Sequence, residues 1–139
     1  MFMKGPSYEI REWQWREAFA KQDGSWFCYV VERENGELIG FAKGCPSDNP
    51  DYDGELNKIF LLREYQRVGL GRRLVGLVVR RFLDQGVTSM WLFADARNPS
   101  CAFYEALGAH NCSNGDGTVN HGNYGWRDLR KLAAMCPVE

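Results

Sequence analysis

Gln66-Arg67-Val68-Gly69-Leu70-Gly71 separates a strand-like apolar run, Leu56 to Leu62, from a long amphipathic stretch, Leu70 to Leu83. Strand, glycine turn and helix start together make a pocket for an anion. The first N–H groups of a helix have no partner within it and point at whatever lies in front. The helix dipole adds positive potential there, and glycines let a phosphate approach the backbone. A plain strand–helix connection would use the same residues. Arginine argues for the ligand: Arg63, Arg67, Arg72, Arg73, Arg80 and Arg81 put six cations into residues 63–81. Arg67 and Arg72 flank the turn, where a planar donor fork suits a phosphate; Arg80 and Arg81 fit a solvated helix face. The turn is neither a dinucleotide fingerprint, since Leu74 stands where the third glycine belongs, nor a P-loop.

The rest of the chain sets the frame. Its 139 residues fit a single domain, 1–139, with 45% hydrophobic and 25% charged residues. A net charge of −1 offers no basic field for nucleic acid. No apolar run reaches the roughly 20 residues of a membrane span, and the N-terminus lacks the layout of a signal peptide. Five cysteines, none in a C-x-x-C pair, read as reduced thiols of a cytoplasmic protein. Cys112, His110 and His121 match no familiar zinc spacing, and no metal is expected.

Ser7 caps an expected helix to about Lys21. Strands follow at Trp26–Arg33 and Leu38–Lys43, joined by a turn at Asn35-Gly36. A polar loop spans Cys45–Gly54 and a strand Glu55–Leu62. The long helix ends at Gly86 and the next strand is Val87–Phe93. A short helix from Asn98-Pro99 ends at Gly108. Strands at Ala109–Cys112 and Tyr124–Leu129 flank a flexible segment rich in Gly and Asn. The reading is an α/β (α+β) domain with a mixed, mostly antiparallel sheet flanked by helices and one crossover around the long helix.

Gln66-x-x-Gly69-x-Gly71-Arg72 resembles the acetyl-CoA pyrophosphate motif of the GCN5-related N-acetyltransferases (GNAT). Asn98-Pro99-Ser100-x-x-Phe103-Tyr104-Glu105-x-Leu107-Gly108 is similar to that family's second helix motif, and Tyr124-Gly125-Trp126 to its final strand. The resemblance covers about residues 8–132. It implies two parallel neighbours, 55–62 and 87–93, that splay apart to admit the pantetheine arm of acetyl-CoA, CoA being the product. In the first strand, Leu56 and Ile59 are out of phase. Either a β-bulge turns both inward or the strand is buried on both faces.

The resemblance also assigns roles. Gln66, Arg67, Val68, Gly69, Leu70, Gly71 and Arg72 hold the pyrophosphate. Phe60, Leu61 and Leu62 offer strand backbone, with an oxyanion donor at the amide of Phe60 or Leu61. Asn98 supports the cofactor arm, although a helix N-cap explains it equally. Tyr104 is the acid near the sulfur, or else an aromatic of the inner helix face. Glu55, eleven residues before Gln66, is the base, or else an exposed strand-start glutamate. The implied activity is N-acetylation of a primary amine, on a small molecule or peptide, by direct attack. A non-catalytic acyl-CoA-binding or interaction module on the same fold is the alternative. With a helix at 7–21, the family's opening strand and helix have no room, so the chain reads as N-terminally shortened. Strand 26–33 would then be an open edge, and a homodimer is expected to cover it.

Overall fold

The computed structural model describes residues 8–13, 26–63, 69–93, 101–113 and 119–137. Seven strands form one sheet: β1 (Tyr8–Trp13), β2 (Phe27–Arg33), β3 (Leu38–Pro46), β4 (Gly54–Leu61), β5 (Met90–Phe93), β6 (His110–Ser113) and β7 (Val119–Trp126). Their order is β1-β2-β3-β4-β5-β7-β6. Only β4 and β5 run parallel; the other neighbours are antiparallel. Among the described residues the helices are α1 (Leu70–Asp84), α2 (Cys101–Ala106) and α3 (Leu129–Met135). The mixed, mostly antiparallel sheet is as expected, with α1 as the crossover between its two parallel strands.

Helix α1 organises the core. Leu70, Leu74, Val75, Val78, Val79 and Phe82 recur at helical spacing and are buried. They meet Phe27, Val31, Ile39, Ala42 and Leu56 of the sheet, and Leu129 and Leu132 of α3. Burying each such side chain stabilises the fold by roughly 1.5–3 kcal/mol. The C-terminus of α1 closes through Val87 N–H to the Phe82 carbonyl at 2.8 Å and Gly86 N–H to that of Leu83 at 3.0 Å. Helix α2 ends the same way: Ala109 donates to Tyr104 at 3.1 Å and Gly108 to Glu105 at 3.0 Å. Both glycine stops read from the sequence are therefore in place.

Three expectations need correction. Residues 8–13 form a strand, not the start of a helix, and β1 pairs with β2 from Tyr8↔Arg33 to Trp13↔Cys28. Tyr8 and Ile10 alternate with Glu9 and Arg11, and Ile10 packs against the core while Glu9 is exposed. That two-residue period outweighs the three-residue spacing of Ile10 and Trp13. The remainder of the expected helix, 14–21, lies outside the described residues. An opening strand of the kind the resemblance implies is thus present, and β2 is not an edge. Second, the strand expected at Tyr124–Leu129 lies earlier, at Val119–Trp126, taking in residues expected to be flexible. Third, Leu129 instead opens α3, because Asp128 caps it: Asp128 Oδ1 accepts the Arg130 N–H at 3.0 Å.

Candidate active site

Strands β4 and β5 pair at two positions, Gly54↔Met90 and Glu55↔Trp91. Beyond them β4 follows β3 to Leu61 while β5 follows β7, as Leu92↔Tyr124 and Phe93↔Asn123. The wedge between them holds a cavity of about 280 Å³, walled by residues 56–60 of β4, Leu92 and Phe93 of β5, Phe41 of β3 and Tyr104 of α2.

A bulge shapes the β4 wall. Lys43 pairs with Lys58, but Gly44 pairs with Leu56, so Asn57 is the extra residue. Of the two sequence readings of this strand, the bulge is the correct one: Leu56 is buried and Ile59 packs against the same core. Downstream, Leu62 N–H donates to the Ile39 carbonyl at 2.9 Å. Alternation along the ladder then gives the Phe60 amide to β3 and turns the amides of Ile59 and Leu61 toward the wedge. Of the two residues considered for an oxyanion donor, Leu61 has the amide that faces the gap.

The glycine turn delivers an open helix end. Gly69 sits at φ 83°, ψ −1°, a left-handed conformation that a side chain would strain. It is the N-cap of α1, so the cap position offers no side chain to the helix end, and the first turn has no acidic residue. Arg72 is exposed and donates through Nη1 to the Met135 carbonyl at 3.3 Å. Arg73, in the same turn, has a buried Nε without a hydrogen-bond partner among the described residues. An uncapped N-terminus with an orphaned guanidinium donor beside it fits an anionic group such as a pyrophosphate. Gln66, Arg67, Val68 and Asn98 lie outside the described residues.

Tyr104 is held from β7. Its ring lies 6.1 Å from that of Tyr124 and 6.3 Å from that of Trp126. Each of those residues is tied to α2 or the turn that follows it: Tyr124 Oη donates to Glu105 Oε2 at 2.6 Å, and Trp126 Nε1 to the Leu107 carbonyl at 3.1 Å. Burial, with a smaller effect of Cys101, pushes the Tyr104 phenol up to about 12. It therefore carries its proton throughout the physiological range. The Tyr104 hydroxyl has no hydrogen-bond partner among the described residues and stands at the cavity wall.

Glu55 is half-buried at the root of the wedge, outside the cavity lining. Its Oε2 accepts from Asn57 Nδ2 at 2.9 Å, and Asn57 lines the cavity. Asn57 is the residue that sequence reasoning missed; Arg73 was counted there among six cations but not singled out. The out-of-phase pair Leu56 and Ile59 did point to a bulge, without saying which residue it would push out. His110 lies elsewhere, its Nε2 2.9 Å from the Tyr52 hydroxyl. Burial first and Arg127 second hold its pKa below the usual histidine value. Among the described residues no group of His, Cys, Asp and Glu could hold a metal ion.

The model of the acetyltransferase (GNAT) family matches residues 2–109. The chain belongs to the GNAT family. It is 30% identical over 141 residues to the uncharacterised N-acetyltransferase YuaI of Bacillus subtilis strain 168, covering 96% of this chain and 79% of that one. It is 28% identical over 123 residues to the ribosomal protein bS18-alanine N-acetyltransferase of Escherichia coli K12, covering 87% and 78%. Among solved structures, the fold matches the AtaT Y144F mutant toxin bound to the C-terminus of the antitoxin AtaR and acetyl-CoA. The TM-score there is 0.66 at 15% identity, over 94% of this chain and 98% of that one. The PaiA N-acetyltransferase of Thermoplasma acidophilum in complex with coenzyme A gives 0.63 at 15%, over 79% and 65%. As a GNAT enzyme the protein transfers an acetyl group from acetyl-CoA to an amine.

Proposed function

We propose that this acetyltransferase works by direct attack of a primary amine on the thioester, inside the β4–β5 wedge. The observation that carries the reading is the wedge itself, with an uncapped helix N-terminus for the diphosphate and a protonated tyrosine at its wall. Residues 66–72 hold the pyrophosphate through main-chain N–H groups and arginine. Residues 60–62 and Asn98 flank the pantetheine arm, and the Leu61 amide donates to the oxyanion. Glu55 takes the proton that the amine loses.

Tyr104 donates a hydrogen bond to the departing sulfur. A free thiol titrates near about 8.5. A phenol at about 12 therefore keeps its proton and stabilises the thiolate by donation rather than by full transfer.

The reading extends to the whole chain as a single catalytic domain acting in the cytoplasm, for which four cysteines outside any disulfide among the described residues speak. No helix among the described residues is long and apolar enough to cross a membrane. A homodimer can no longer be argued from an open β2 edge, which β1 covers. Its remaining basis is the outer edges at β1 and β6, and light scattering at micromolar concentration reads it directly.

The relatives that acetylate alanine of a ribosomal protein make an alanine-initiated peptide the first acceptor to try. The test is thermal stabilisation by acetyl-CoA against ATP, followed by turnover on a panel of primary amines. Stabilisation by ATP alone, or no turnover on any amine, would overturn the reading.

A further inference from the structure

The chemistry of attack leaves one question that the roles above do not answer. A neutral primary amine must present its lone pair to the thioester carbon, so something must hold its N–H bonds. Among the polar side chains that line the cavity are Asn57, Lys58 and Tyr104. Among the described residues of that lining there is no carboxylate or imidazole. Lys58 is a donor only, and Tyr104 is committed to the sulfur. Among the described residues, the Asn57 carboxamide oxygen is the one dedicated side-chain acceptor in that wall.

We propose that Asn57 Oδ1 binds the N–H of the attacking amine, and that Glu55 fixes the orientation of Asn57 for this purpose. This rests on the acetyl-transfer reading above and adds the acceptor contact to it. An ionised carboxylate only accepts hydrogen bonds, so the 2.9 Å contact to Glu55 Oε2 requires the NH₂ group of Asn57 on that side. The oxygen is thereby assigned to the other side. Asn57 Oδ1 has no hydrogen-bond partner among the described residues.

The bulge explains the placement. Asn57 is the residue of β4 without a counterpart on β3, so it is displaced from the regular alternation and reaches the cavity wall beside buried Leu56. With one N–H held on Oδ1, the nitrogen lone pair is free to form the new C–N bond. The C–S bond then breaks with its electron pair going to sulfur, and the amine proton goes to the base. The exposed cation of Lys58 on the same wall disfavours an ammonium there and so favours the neutral nucleophile.

The experiment is steady-state kinetics with acetyl-CoA and the best acceptor from a panel of an alanine-initiated peptide, a lysine-containing peptide and spermidine. Asn57→Ala is expected to raise the KM for the amine about tenfold or more, with the KM for acetyl-CoA within about twofold of wild type. Retained thermal stabilisation by acetyl-CoA verifies that the variant is folded. Glu55→Ala frees Asn57 to flip and is expected to raise the amine KM similarly. Glu55→Gln keeps a carbonyl oxygen that accepts from Nδ2, so the amine KM stays within about threefold while kcat falls. The Glu55 pair decides the matter even if Asn57→Ala does not fold. An unchanged amine KM in Asn57→Ala, or equal rises in Glu55→Ala and Glu55→Gln, would refute the contact and leave the acetyltransferase standing. Absence of wild-type turnover on the whole panel would instead sink the reading beneath it, and the contact with it.

Discussion

Replacing Tyr104 by Phe removes one oxygen and little else, which makes it the sharpest probe of the site. The ring keeps its neighbours Phe103, Tyr124 and Trp126, with centroids 5.5, 6.1 and 6.3 Å away. The lost hydroxyl has no hydrogen-bond partner among the described residues, so stability near pH 8 should stay within about 0.5 kcal/mol of wild type. Alkaline pH separates the two proteins. The Tyr104 phenol is raised from 10 to about 12 by burial. Between those values the unfolded chain has lost this proton and the folded protein has kept it. The unfolded state binds fewer protons, and stability falls as pH rises. The contribution is complete below pH 10 and gone above 12. At about 1.4 kcal/mol per pH unit the loss is about 2–3 kcal/mol. Tyr104→Phe lacks this slope, and the other tyrosines cancel in the comparison. Urea unfolding at pH 8 and pH 11 reads the difference. Turnover should fall about 10- to 100-fold, the value of a hydrogen bond to a charged sulfur, with acetyl-CoA stabilisation retained. Parallel alkaline curves for the two proteins would show that the phenol is not sheltered. Undiminished turnover would remove it from the reaction.

Three further outcomes follow from the same structure. Gly69→Ala meets nothing within 4 Å, so its cost is the backbone alone at φ +83°. That is about 1 kcal/mol, and thermal unfolding should show both this loss and a weaker response to acetyl-CoA. In Gly125→Ala the new Cβ would stand 2.5 Å from the Tyr52 ring. Displacing that ring should cost about 1–3 kcal/mol and, by uncovering His110, whose pKa burial holds down, move the NMR titration of His110 up toward the ordinary value. Asp128→Ala removes the cap of α3 and should lower the melting temperature at pH 7. The Asp128 carboxyl is held below its usual value, chiefly by the Arg130 N–H. Its contribution is therefore present above the normal aspartate range and lost as pH falls through the lowered value, where the two melting curves should converge.

The sequence was most informative where local chemistry is unambiguous. Asn35-Gly36, Gly86 and Gly108 each require a particular backbone state, and each marks the turn or helix end expected of it. The glycine turn was legible as a candidate anion site because its residues are consecutive. The N-terminal strand was misread because Ile10 and Trp13 satisfy a helical spacing in isolation; pairing with β2, a long-range contact, decides otherwise. Asp128 went unread as a cap because the preceding aromatics looked like an unfinished strand. Asn57 could not be assigned at all. Its role depends on which residue the bulge expels and on a bond to Glu55, and both are properties of the folded ladder.

Among the described residues, the two rungs at Gly54↔Met90 and Glu55↔Trp91 are all the ladder that joins β1–β4 to β5–β7. The halves are also held by side chains packed under α1 and by bonds such as Trp91 Nε1 to Ser47 Oγ at 2.8 Å. A thioester arm lying in that seam would act as mortar, supplying main-chain contacts that the polypeptide withholds from itself. The lifetime of the enzyme against proteases would then follow the supply of its own co-substrate, lengthening when acetyl-CoA is plentiful and shortening when it is scarce.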